Sequence, residues 1–113
     1  MPEGAPVRIV NDKSTGAVPT ADTSVLPAGT NRSGTITAGG TAQTLAPANA
    51  NRRFLKGQNL SSADLWINEL GGTAAASQPS YRIPAGSTFS VNTSQAVSIF
   101  GATTGQAFSA TEA

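Results

Sequence analysis

The sequence predicts an all-β domain, a small antiparallel β-sandwich of jelly-roll-like form or a β-barrel, carried behind an extended N-terminal arm. Three observations point there. Short runs rich in β-branched and aromatic residues alternate with Gly, Pro, Asn and Ser clusters from Arg32 onward. Turn signals recur about every ten residues, the spacing of a sandwich or barrel. No window carries the apolar period of an amphipathic helix. The division expected is an arm over residues 1–31 and a β-domain over residues 32–113.

The arm contains Pro2, Pro6, Pro19 and Pro27, which break helices. Small polar residues dominate it. Two apolar patches interrupt it, Val7-Arg8-Ile9-Val10 and Val25-Leu26. Val7, Ile9, Val10, Val25 and Leu26 are therefore candidate contacts to a neighbouring chain, the alternative being a disordered tail.

Strands are expected over residues 34–38, 41–45, 53–59, 65–69, 80–83, 88–91, 97–100 and 106–111. Gly39-Gly40 reads as a two-residue hairpin turn, because glycine tolerates positive φ. Residues 60–63 read as a polar turn between adjacent strands. Pro84-Ala85-Gly86-Ser87 reads as a turn in which Pro fixes φ and Gly adopts the left-handed conformation. Alternation assigns the faces. Leu55, Leu65, Ile67, Ile83, Phe89, Val91, Val97, Ile99 and Phe108 fall in the core. Trp66 and Phe100 then point away from it, which marks them as candidate contacts under a partner.

Composition excludes several chemistries. The chain has no Cys and no His, so it lacks thiolate sites, disulfides and the side chain that titrates near neutrality. No paired carboxylates stand close in sequence, and Glu112, one residue from the end, is expected to fray. Ser and Thr are abundant, but none has an activating neighbour of known pattern. The reading is that this is not an enzyme and takes no cofactor or metal. The N-terminus lacks a basic-then-apolar leader and no apolar run is long enough for a bilayer, so neither export nor a membrane partner is expected. Net charge is +1, too small to predict nucleic-acid binding. Arg52, Arg53 and Lys56 form a local basic cluster. It reads as a contact to an acidic patch on a partner protein or to a phosphate, or as a solvated strand end whose Arg stems cover apolar surface. Bulky apolar residues are few: alanine supplies 19 residues of the hydrophobic fraction, which is 38%. The core is thin, and burial between chains is the expected remedy.

One stretch carries a resemblance. It runs Arg52-Arg53-Phe54-Leu55-Lys56-Gly57-Gln58-Asn59, then Leu65-Trp66-Ile67-Asn68, Gly71-Gly72-Thr73-Ala74-Ala75 and Ile83-Pro84-Ala85-Gly86-Ser87. It closes on Val97-Ser98-Ile99-Phe100-Gly101-Ala102-Thr103-Thr104-Gly105-Gln106-Ala107-Phe108. This pattern resembles small virion structural proteins of tailed bacteriophages. The resemblance implies a capsid decoration (cement) protein. Such a protein would be made in the host cytoplasm, bound to the outer surface of the head as a homotrimer, and stabilise contacts between major capsid protein subunits. A tail, baseplate or head-fibre component is the alternative within the same class. A host-glycan-binding module is the alternative outside it, with Trp66 and Tyr81 stacking on sugar rings and Asn68 and Gln78 hydrogen-bonding.

Overall fold

A computed structural model describes residues 28–113. Nine strands form two antiparallel sheets: β1 Thr30–Asn31, β2 Gly34–Thr35, β3 Gln43–Ala46, β4 Leu55–Asn59, β5 Leu65–Asn68, β6 Tyr81–Ile83, β7 Thr88–Val91, β8 Val97–Gly101 and β9 Ala107–Glu112. There is no helix among the described residues. All eight expected strands are present. The first pairing begins at Thr30, within the stretch the sequence assigns to the arm; residues 1–27 lie outside the described residues.

Strands β1 and β2 are one strand in effect. Thr30 pairs with Glu112, Asn31 with Thr111, Gly34 with Phe108 and Thr35 with Ala107, without a change of register. Between them the Ser33 hydroxyl accepts the Ala110 N–H at 3.0 Å. The first sheet has the order β1/β2-β9-β4-β7 and the second β3-β8-β5-β6. Every connection from β2 to β9 crosses between the layers except β5 to β6. Two interleaved four-strand paths of this order are the jelly-roll arrangement.

Two expected turns are corrected by this topology. Residues 39–40 do form a turn, with the Thr41 N–H donating to Ala38 O at 3.1 Å and Gly40 at φ 83°. They do not close a hairpin, because β2 pairs with β9 and β3 pairs with β8. The backbone of Ile36 is already engaged, its N–H by Gln106 O and its carbonyl by the Gly105 N–H. Residues 60–63 likewise carry the chain from one sheet to the other, so β4 and β5 are not adjacent. A turn signal states that the chain reverses, not which sheet it reverses into.

The core lies between the layers. Ile36, Leu45, Ala46, Leu55, Leu65, Ile67, Ile83, Phe89, Val91, Val97, Ile99, Phe108 and Ala110 are buried together. All nine expected core residues are in this set. Leu45 and Ala46 are buried although consecutive, because the ladder slips at residues 44–46 and a bulge turns both inward. Buried amides fasten the crossings. Asn59 Nδ2 donates to Ala63 O and Ile83 O, each at 2.8 Å, and its Oδ1 accepts the Ser61 N–H at 2.9 Å. Gln106 Nε2 donates to Asp64 O at 3.0 Å while its Oε1 accepts the Thr103 N–H at 2.9 Å.

Candidate functional site

The alternation that buries Leu65, Ile67, Val97 and Ile99 turns their strand neighbours to the outer face of the second sheet. Trp66 stands directly opposite Phe100 on one side and Arg82 on the other. Phe100, Trp66 and Arg82 thus form a row across three strands. A second row runs through Thr44, Ser98 and Asn68. Residues 69–80 fold back over that second row. The Leu70 N–H donates to Asn68 Oδ1 at 2.8 Å, and the Ala74 N–H to Ser98 Oγ at 3.0 Å. Ala74 is buried there. The aromatic row stays half-buried, and Arg82 is exposed at its end. The Arg82–Asp64 ion pair is long, at 3.9 Å, and open to water, so it contributes little to stability and leaves the guanidinium free to bind elsewhere.

The outer face of the first sheet is different. Asn31, Ser33 and Thr35, then Ser109 and Thr111, Lys56 and Gln58, and Thr88 and Ser90 cover it, all exposed. Lys56 Nζ lies 4.9 Å from the Phe54 ring centroid. One face of the sandwich is therefore hydroxyl-rich, and the other carries Trp, Phe and Arg, the side chains enriched at the centres of protein interfaces.

The expected basic cluster does not assemble. Arg52 is inside the domain, its side chain wholly buried. Its Nε donates to Glu112 Oε2, and its remaining nitrogens donate to the carbonyls of Pro47, Thr93 and Gln95 at 2.6–2.8 Å. Four fixed acceptors occupy the guanidinium fork, so Arg52 is a structural residue and not a surface contact. Arg53 is exposed, and Lys56 stands on the hydroxyl-rich face.

Glu112 is not frayed. It is 3% exposed and holds Arg32 at 2.9 Å as well as Arg52. Burial pushes its carboxyl up, but hydrogen bonds from Arg52 and then Arg32, with their charges, outweigh burial and hold it below the ordinary value. Sequence inspection misses this cluster because its members are 60 and 80 residues apart.

The residues named for glycan binding do not converge. Tyr81 pairs with Ile67, so it belongs to the opposite face of the sheet from Trp66. Asn68 is buried and its amide is engaged by residues 70 and 73. Val7, Ile9, Val10, Val25 and Leu26 lie outside the described residues. Among the described residues no three His, Cys, Asp or Glu side chains gather as a metal site would require.

No family model matches the chain, and no curated protein or solved structure matches it.

Proposed function

We propose that the chain is a structural protein of a tailed-phage virion, a capsid decoration protein that seats on the outer surface of the head across contacts between major capsid protein subunits. The observation that carries this reading is the Phe100–Trp66–Arg82 row. A row of two aromatic side chains and a guanidinium across three strands of an outward sheet face suits a broad protein surface better than a small ligand. The resemblance of residues 52–108 to small phage virion proteins supplies the partner class. The role is mechanical and non-catalytic. Each copy buries its aromatic row against the shell and leaves its hydroxyl-rich face to water. Self-association as a trimer, and many copies per head, multiply a modest contact into firm retention.

The test is co-sedimentation of the recombinant full chain with purified expanded heads, followed by a copy count on the particle. Hundreds of copies and a higher thermal disruption temperature of the heads support decoration. A dozen or fewer copies move the protein to the tail, baseplate or head fibre. Absence from the head pellet rejects the reading.

A further inference from the structure

The sandwich is open along one margin. Strands β6 and β7 are the last strands of their sheets on that side, each paired on one edge only. Between them lies a cleft of about 340 Å³ lined by Ile67, Tyr81, Ile83, Phe89 and Val91, with Glu69 also in its lining. Tyr81 is 56% exposed at its mouth. The β4 ladder shows which groups of β7 are free. Asn59 N–H donates to Ser87 O, and Leu60 N–H donates to Ala107 O. Odd-numbered residues of β4 therefore bond toward β7, and the alternation of an antiparallel ladder leaves the N–H and C=O of Thr88 and Ser90 facing outward. This edge, Thr88-Phe89-Ser90-Val91, carries no charge, no proline and no bulge. An unprotected edge of this kind invites another strand.

Building on the assembly proposed above, we infer that β7 receives a strand from the N-terminal segment of a neighbouring copy, Val7-Arg8-Ile9-Val10. The segment is four residues long, like β7, and its alternation puts Val7 and Ile9 on one face. Those two side chains enter the cleft while Arg8 and Val10 join Thr88 and Ser90 on the outer side. Main-chain hydrogen bonds supply attachment and the apolar pair sets the register. The chain preceding Ala28 leaves at β1, the opposite margin of the same sheet. Residues 11–27 span up to about 55 Å when extended, enough to reach an adjoining copy. Reaching β7 of the same copy would lay the run through Val18, Val25 and Leu26 across the exposed Asn, Ser, Thr, Lys and Gln side chains of the first sheet's outer face. Passing the segment from the β1 margin of one copy to the β7 margin of the next is a heterologous contact, and it closes into a ring when the rotation allows.

The cysteine-free chain permits a direct test. Full-length Arg8→Cys and Ser90→Cys proteins are mixed and oxidised gently, with Arg8→Cys plus Ser109→Cys as the control pair and an Arg8→Cys/Ser90→Cys double variant alongside. The inference expects a mixed interchain disulfide at several times the control yield, and closed oligomers from the double variant. A product confined within single chains overturns it in favour of the chain's own segment. Equal yields for Ser90 and Ser109 overturn it in favour of random encounter. Interchain product without head binding rejects only the decoration role; head binding without interchain product rejects only this inference.

Discussion

The Arg52 guanidinium meets the Glu112 carboxylate at 2.5 Å inside the domain, across 60 residues of chain. The same Arg gathers the carbonyls of Pro47, Thr93 and Gln95, so one side chain ties the end of β9 to the loops that precede β4 and β8. Removing it leaves a buried carboxylate held only by Arg32 and takes a donor from the carbonyls of Pro47, Thr93 and Gln95. Arg52→Ala should therefore cost about 3–5 kcal/mol, read as a lowered urea midpoint. Arg53→Ala, one residue along on the surface, should stay within about 0.5 kcal/mol. Equal losses at the two positions would refute the assignment of Arg52 as structural.

The same cluster makes stability depend on acid. The folded carboxyl of Glu112 sits below its ordinary value of 4.5, whereas the unfolded chain has dispersed its Arg partners. The unfolded state then binds the proton more readily. The contribution of Glu112 is complete above pH 4.5 and is lost as pH falls through the lower folded value. Glu112→Gln should be less stable at neutral pH, and the gap from the parent should narrow on acidification. Urea midpoints measured from neutrality down to about pH 3 check this; a constant gap would contradict it.

Gly57 has its space taken by two neighbours. A Cβ there would run into the Ser109 carbonyl oxygen and stand 2.7 Å from Phe89 Cζ. Gly57→Ala should destabilise by about 1–3 kcal/mol through overpacking. Adding Phe89→Leu should recover only part of that, because the Ser109 clash is with backbone. Full recovery by the second substitution would show that the ring alone sets the limit. Gly86, where a Cβ meets nothing within 4 Å and only φ 78° matters, is the comparison for backbone strain alone.

The aromatic row separates attachment from folding. Trp66→Ala and Phe100→Ala, with a double-mutant cycle, should show a coupling of about 0.5–1.5 kcal/mol from the facing pair. Each single variant should keep β-type circular dichroism and lose affinity for expanded heads. Leu55→Ala, by contrast, empties a fully buried site and should cost about 2–5 kcal/mol with no specific effect on heads for whatever protein remains folded. If Trp66→Ala binds heads as the parent does, the outer face of the second sheet is not the seat.

Much of this was legible in the residues themselves. Alternation in Leu65-Trp66-Ile67 and Val97-Ser98-Ile99-Phe100 places the core and the outward aromatics, because a strand period of two is a local property. That Trp66 faces Phe100 is not local; it depends on a register between strands more than 30 residues apart. Ile36 escapes notice as a core residue because its same-face neighbours in the expected strand, Gly34 and Ala38, offer it no bulky apolar partner. Leu45 and Ala46 defeat the period because the bulge breaks it. Arg52 looks like a surface cation beside Arg53 until four acceptors from distant loops close around it. The two misplaced reversals, at residues 39–40 and 60–63, share one cause. Each carries a sound turn signal, and the destination sheet was decided by partners, β8 and β9, that come last in the chain.

Strand β9 lies between β1/β2 and β4, so the first sheet has an empty centre until residues 107–112 have left the ribosome. During synthesis Leu55 lacks its β9 neighbour, and Thr30 waits for Glu112 across 82 positions. Folding is thereby deferred until β9 is available and proceeds as one slow closure, in the millisecond-to-second range of non-local β topologies. A nascent chain stalled before Ala107 should remain sensitive to protease, and its unpaired β4 offers newly made neighbours a place to pair wrongly, which makes crowded translation the step where holding chaperones matter most.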